Sequence, residues 1–189
     1  MNRADAWNLL CEYVQSDSLR KHMLAVEAAM RHYARKSAAD EELWGVTGLL
    51  HDFDYERWPD PPAHPAEGAK ILRARGVDEE IVSAILSHAP WNQEEYPLDR
   101  PLRRTLFACD ELCGFLTACA LVRPTRLDGM TASGVRKKLR TAIFAANVSR
   151  EHIYRGEELM GVPLDAHITE CITALQGTAA ELGLLLGAQ

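Results

Sequence analysis

Apolar residues recur at steps of three and four along almost the whole chain, which is the period of an amphipathic α-helix. The clearest case is the face shared by Leu19, His22, Val26, Met30 and Tyr33. β-branched residues are scattered, and no stretch alternates apolar and polar positions for long, so the pattern gives no support for strands. The sequence therefore predicts an all-α fold.

Capping residues, glycines and prolines divide this pattern into separate helices. The predicted helices are Ala4 to Val14, a helix capped by Asp17 or Ser18, Glu41 to Leu50, His64 to Arg75, a helix from Asp78 to Pro90, Pro101 to Val122, a basic helix capped by Thr131 or Ser133, Ser149 to Gly161, and Leu164 to Leu186. Gly45 and Gly48 in the third helix would allow another helix to approach closely.

Composition adds limits to this picture. The chain has 189 residues, of which 47% are hydrophobic and 25% charged, as expected for one globular domain with a real core. No interdomain linker is visible, so a single domain over residues 1–189 is expected. The formal net charge of -6 makes nucleic acid an unlikely partner.

The five cysteines are odd in number and show no CxxC pair, so they are interpreted as reduced core residues. They are Cys11, Cys109, Cys113, Cys119 and Cys171. No signal peptide opens the sequence, and no apolar run approaches the ~20 residues of a membrane span. We expect a cytoplasmic protein without a membrane partner.

The candidate chemistry centres on His51 and Asp52, which stand side by side at the end of an apolar helix. A histidine on an apolar helix face is usually a core residue, and His22 or His88 alone would be read so. Asp110 beside a buried stripe is different, because a buried carboxylate is costly unless it is paired or coordinated. A metal ion would account for these positions together. His32 and His152 sit among charged residues and are interpreted as surface groups.

The order His22, His51-Asp52, Asp110 resembles the HD-domain superfamily of metal-dependent phosphohydrolases, an all-helical fold named for the doublet. The segment from His64 to Ala69, with the sequence HPAEGA, is similar to an element of members that bind two metals. The resemblance extends over about His22 to Asp110. It implies an HD-domain helical bundle whose metal-binding core covers about residues 18–123, completed by extra C-terminal helices at 124–189.

Carried over to this chain, the resemblance implies two metal positions. The first would use His22, His51, Asp52 and Asp110. His64 and His88 would hold a second metal, with Asp52 as a bridge. One or two divalent ions are expected, with Mn, Fe, Ni, Zn and Mg left open. A metal-activated water would attack phosphorus, which makes Asp52 part of the catalytic group.

Candidate substrate groups are less sharply indicated. Asp54 and Glu56 could act as general base or contact the metal-bound water. Arg123, Lys137 and Lys138 belong to a basic cluster that could hold phosphate, although a solvated helix face explains it too. The Gly-Tyr-Pro element of cyclic-dinucleotide phosphodiesterases does not follow the HD pair, so that substrate is not expected.

The expected function is therefore a metal-dependent phosphohydrolase that acts on a small phosphorylated metabolite or nucleotide. Two alternatives stay open. Some HD-fold proteins with the same ligand order bind two irons and oxidise a C–H bond with dioxygen. A catalytically silent module that keeps a metal for stability is the other. A homodimer is allowed, although no segment indicates a dedicated interface.

Overall fold

The computed structural model describes residues 1–186, and this part of the chain contains nine α-helices, one short 3-10 helix and no strand. The all-α prediction is confirmed. The helices are α1 (Arg3–Tyr13), α2 (Asp17–Ser37), α3 (Glu41–Leu50), α4 (Ala63–Ala74), α5 (Glu79–His88), the 3-10 helix (Pro90–Asn92), α6 (Pro101–Leu121), α7 (Ala132–Leu139), α8 (Arg150–Met160) and α9 (Leu164–Gly177).

Two of the predicted helix boundaries are wrong. The cap of α2 is Ser16, whose hydroxyl accepts from the Leu19 N–H, rather than Asp17 or Ser18. Helix α9 ends at Gly177 and not at Leu186. Glycine costs about 1 kcal/mol in a helix relative to alanine, and the β-branched Thr178 that follows also has a low helix propensity. The helix therefore ends at this pair of residues. The last three residues of the predicted domain, 187–189, lie outside the described part.

Helix α2 lies at the centre of the bundle and packs against α3, α6 and α9. Helix α6 also packs extensively against α8, and α7 packs on α9. Residues after the long helix α6 contribute to the same apolar core, for example Ile153, Ile168 and Leu175. None of the helices within residues 1–186 combines the length and apolar character needed to cross a membrane.

A buried ion pair fixes α1 on α2. The carboxylate of Glu27 accepts from Arg3 Nε at 2.7 Å and from Arg31 Nε at 2.9 Å. Glu27 is almost fully buried, and its negative charge is tolerated because these two guanidinium groups compensate it. The carboxylate of Glu27 therefore joins the first residue of α1 to the middle of α2.

The close approach expected at the glycines of α3 is confirmed at Gly48. A β-carbon added there would lie 2.9 Å from Met30 Cγ, 3.0 Å from the Val26 carbonyl oxygen and 3.1 Å from Glu27 Cα, all on α2. Backbone atoms cannot move aside as a flexible side chain can. The end of α3, and His51 with it, is therefore pressed against α2.

Gly48→Ala should destabilise the protein. Overpacking costs about 1–3 kcal/mol, against a gain of up to about 1 kcal/mol from the higher helix propensity of alanine. Denaturant unfolding measures the change, and Gly177→Ala is the matched control because a β-carbon there meets nothing within 4 Å. Equal stability of the two variants would contradict the close contact between α2 and α3.

Candidate metal centre

His51 follows directly after α3 and is completely buried. Its Nδ1 lies 2.8 Å from the Gly48 carbonyl oxygen, which can only accept, so Nδ1 carries the hydrogen and donates. In a neutral ring this leaves a lone pair on Nε2. That nitrogen lies 3.3 Å from Asp110 Oδ1 and 3.6 Å from Asp52 Oδ2. When the ring is neutral, the helix end thus aims the lone pair of an imidazole nitrogen at two carboxylates.

The first group of ligands combines His51 with His22 from α2 and Asp110 from α6. His22 Nε2 lies 3.1 Å from Asp110 Oδ1, the same oxygen that faces His51. His22, His51 and Asp52 each offer a ligand atom, and these atoms lie within 4.8 Å of one another. The residues expected around the first metal are therefore together in space.

The second group of ligands is built on the other oxygen of Asp52. Asp52 Oδ1 lies 3.3 Å from His64 Nε2 and 3.1 Å from His88 Nε2. His88 is the last residue of α5, and its Nδ1 donates to the Ile85 carbonyl, which leaves Nε2 free to face Asp52. One carboxylate thus presents one oxygen to each group of histidines, which is the arrangement a bridging ligand requires.

Asp54 holds His64 in place. Its Oδ1 accepts from His64 Nδ1 at 2.8 Å, and its Oδ2 accepts from the Gly68 N–H at 2.9 Å. A β-carbon at Gly68 would lie 2.8 Å from Asp54 Cγ, so only glycine lets the carboxylate approach. Both oxygens of this buried carboxylate accept hydrogen bonds within the protein. Asp54 was expected as a general base or a contact of the metal-bound water, and this position differs from that expectation. The geometry instead gives Asp54 the task of orienting a ligand histidine.

These residues fit a metal site. His51 Nε2 and Asp52 Oδ1 are buried and make no hydrogen bond, although other nitrogen and oxygen atoms lie 3.1 to 3.6 Å away. Lone pairs of neutral imidazoles that face carboxylate oxygens repel each other unless a cation or a proton lies between them. Four imidazoles and two carboxylates suit zinc, manganese, iron or nickel. His22, His51, Asp52 and Asp110 could hold one ion, and Asp52, His64 and His88 a second.

Without a metal, protons bound to the histidines supply part of the positive charge that the carboxylates require. Burial lowers the pKa of His51, but the charges of Asp52 and Asp110 outweigh burial and raise it to about 9. Burial likewise lowers the pKa of His64, but the neighbouring carboxylates of Asp52 and Asp54 outweigh burial and raise it to about 9. Burial raises the pKa of Asp110, yet the neighbouring His51 charge holds it well below its ordinary value.

The other predicted site residues lie elsewhere. Glu56 is exposed, and its Oε2 accepts from the N–H groups of Gln15 and Ser16 at 2.9 and 3.1 Å. Its carboxylate therefore joins its own loop to the turn between α1 and α2. This position differs from the expected base beside a metal-bound water.

The basic cluster is also placed away from the centre. Arg123 lies beyond the end of α6, whose last residue, Leu121, is about three helical turns or roughly 16 Å from Asp110. Its guanidinium donates to the carbonyl oxygens of Arg126 (2.9 Å) and Asp128 (2.7 Å), so it closes its own loop. Lys137 and Lys138 are exposed on α7. A role for the three in phosphate binding stays a prediction.

Two groups beside the centre were not found from the sequence. Glu111 follows Asp110 on α6 and accepts from the Ser149 N–H at 3.0 Å, and burial, with the Asp110 charge, raises its pKa. His152 on α8 is half-buried with its ring 4.9 Å from that of Phe107. Burial lowers its pKa despite the nearby Asp110. Because α8 lies far along the chain from α6, no local pattern could connect them.

Fold and site together define a helical protein with clustered histidine and aspartate groups able to hold metal ions. A family model described as HD domain matches residues 19–114, and the chain therefore belongs to the HD domain family. The resemblance expected from the sequence is confirmed by this match.

One curated relative is the tRNA (cytidine(56)-2'-O)-methyltransferase of Thermoplasma volcanium, to which 81 residues are 35% identical. The match covers 43% of this chain and only 24% of that protein, so the chain spans about a quarter of its relative. No solved structure shows significant similarity to the chain.

Asp54→Asn should weaken metal binding at the His64 and His88 position by roughly 10–100-fold, since loss of an orienting carboxylate typically has this effect. The asparagine amide keeps the shape but can no longer hold His64 as the carboxylate does. Metal titration of the metal-free protein measures the change. Glu56→Gln, two residues away and exposed, is the matched control. If both variants bind like the wild type, Asp54 does not orient a ligand.

Metal binding near pH 7 should release about two protons per chain, since His51 and His64 are protonated in the metal-free protein and must be neutral to bind. Because both pKa values are raised, protons compete with the metal at any pH below about 9, and affinity should rise with pH up to that value. Calorimetry in two buffers of different ionisation enthalpy counts the protons. An affinity that does not change with pH would contradict the two raised pKa values.

Proposed function

We propose that the protein is a metal-dependent phosphohydrolase that acts on a small phosphorylated metabolite or nucleotide. The observation that carries this proposal is Asp52, whose two oxygens face different groups of histidines. Such a carboxylate can bridge two metal ions. Enzymes with two neighbouring metal ions use them to stabilise the attacking and leaving oxygens of an in-line displacement at phosphorus. Membership in the HD domain family supports the same reaction class.

Bound divalent ions at such a centre lower the pKa of water and neutralise charge on phosphoryl oxygens. The chain itself supplies the ligands and their orientation. Gly48 and Ile85 fix His51 and His88 through their carbonyl oxygens, and Asp54 fixes His64. Rigid ligands keep the reacting groups in one geometry, which is a large part of what a catalyst of phosphoryl transfer must provide.

The direction of substrate entry follows from exposure. The side chains of His22, Asp52 and Asp110 are 21%, 17% and 20% exposed, whereas His51 is fully buried. Substrate therefore reaches the centre from the side of these three residues. Tyr55 is exposed, with its ring 5.2 Å from that of His64, and offers an aromatic surface next to this ligand.

A small substrate agrees better with the chain than nucleic acid does. The net charge is -6, and the basic residues of α7 lie away from the centre. The relative from Thermoplasma volcanium is named for a reaction on tRNA, but the matched part is only a quarter of that protein. The chemistry of the whole relative is therefore not carried over.

A di-iron oxygenase is the second candidate. Four imidazoles and two carboxylates, one of them placed to bridge, would hold two irons as well as two other divalent ions. This candidate differs from the first in the reagent that it consumes, since it takes up dioxygen and releases no phosphate.

The test is phosphate release by protein loaded separately with Mn, Fe(II), Ni, Zn or Mg, on a panel of nucleotides and sugar phosphates. Asp52→Asn should reduce the rate by at least about 100-fold, because the bridging charge that holds both ions is lost. Glu56→Gln should keep both metal content and rate.

Dioxygen uptake with two irons and no phosphate release would overturn the proposal in favour of the oxygenase. Neither reaction with any metal would leave a silent metal-binding module as the better description. Activity that survives Asp52→Asn would show that the catalytic centre lies elsewhere.

A further inference from the structure

A second cluster of potential ligands lies between α6 and α9. Cys109 and Cys113 are four residues apart on α6, and His167 and Cys171 are four residues apart on α9. Residues at this spacing share one helix face, so each helix presents two ligand side chains to the other. We call these four residues the thiol cluster. They share no side chain with the metal centre described above.

The thiol cluster is compact and closed to solvent. All four residues are 0% exposed. One ligand atom each from Cys109, His167 and Cys171 lie within 4.8 Å of one another, and Cys171 Sγ is 3.8 Å from His167 Nδ1. Sulfur and nitrogen ligands of a tetrahedral zinc ion, at their usual bond lengths, would be ~3.6 Å apart. The spacing is therefore already close to that of a coordinated pair.

His167 is held in the form that a metal ligand needs. Its Nε2 is 3.0 Å from the Ala108 carbonyl oxygen, which can only accept, so Nε2 carries the hydrogen. The lone pair is on Nδ1, on the side of Cys171. The Tyr33 hydroxyl lies 2.6 Å from Nδ1 and donates to it. A metal ion would take the place of that donated proton, and the carbonyl would act as the outer partner that ligand histidines usually have.

We propose that the thiol cluster binds one zinc-class thiophilic cation as a structural site that joins α9 to α6. The thiolates of Cys109 and Cys171 and the neutral imidazole of His167 balance a divalent charge, which suits a buried position. The Cys113 thiol now donates to the Ala25 carbonyl oxygen at 3.7 Å, and it would supply a fourth ligand as a neutral thiol after turning from that carbonyl. The thiols of Cys109 and Cys171 each give up a proton to solvent when they bind. The complete burial excludes a substrate position, so the site is of the closed, structural kind.

Ligand type separates this site from the histidine and aspartate centre. Sulfur ligands select zinc and other soft cations, whereas the mixed nitrogen and oxygen set of the centre also accepts manganese or magnesium. This difference allows one site to be observed in the presence of the other. The proposal does not depend on which reaction the centre catalyses.

Cobalt(II) titration of the full-length, metal-free protein is the first test, because only sulfur ligands give a thiolate-to-cobalt charge-transfer band in the near ultraviolet. The band should appear in the wild type and persist in Asp52→Asn. It should be lost in Cys171→Ser and retained in Cys119→Ser, a control that changes another buried cysteine, on α6 but outside the cluster. Absence of the band in the wild type, or its survival in Cys171→Ser, would overturn the proposal.

X-ray absorption of the zinc-loaded wild type gives an answer that needs no variant to fold. The proposal requires a sulfur shell at about 2.3 Å in addition to nitrogen or oxygen at about 2.0–2.2 Å. A spectrum with nitrogen and oxygen neighbours only would place all zinc at the histidine and aspartate centre and refute the thiol site. Failure here would leave the proposed phosphohydrolase intact, since phosphate release does not involve these residues.

Discussion

The structure depends on one contact, between imidazole nitrogens and carboxylate oxygens, that is unfavourable unless a metal ion or added protons supply positive charge. Nε2 atoms of buried imidazoles face carboxylate oxygens at 3.1 to 3.6 Å while the opposite ring nitrogens donate to fixed acceptors. Taken as neutral rings, these are lone pairs pointed at negative charge. A protein that buried such an arrangement with nothing between the groups would lose several kcal/mol for each charge. The raised pKa values of His51 and His64 express the same demand for positive charge.

The surrounding helices serve to hold these groups against that repulsion. α3 brings His51 to the centre because Gly48 allows the helix to pack closely on α2. Gly68 on α4 leaves room for the Asp54 carboxylate, which comes from the preceding loop and contacts His64. Both glycines act through the absence of a β-carbon rather than through flexible dihedral angles. The centre is thus fixed by close helix contacts, and a small change in those contacts would move the ligands.

Local periodicity was enough to predict the helices, and His22, His88 and Asp110 were conspicuous because each interrupts an apolar helix face. The full set of six side chains followed from the resemblance to the HD-domain superfamily. Neither could reveal that Asp54 orients His64, since that role depends on a loop folding back onto Gly68. The prediction that Cys109 and Cys171 are core residues is confirmed, since both are fully buried. Their proximity to each other could not be predicted, because the two helices that bring them together are far apart in sequence. Sequence could not show either that Arg123 closes its own loop, because its partners are backbone carbonyl oxygens that no side-chain pattern reveals.

Helix α6 explains why the residues beyond the family match belong with the rest. The match ends at residue 114, inside α6. This helix buries side chains on every face. Cys109 faces α9, whereas the next residue, Asp110, faces His22. Consecutive helical residues point about 100° apart, so one helix cannot be covered by α2 and α5 alone. Gly156 lets α8 approach so closely that a β-carbon there would lie 3.0 Å from Ala108 Cα. We therefore propose that residues 1–189 form one domain, in which the C-terminal helices keep α6, and hence Asp110, in position.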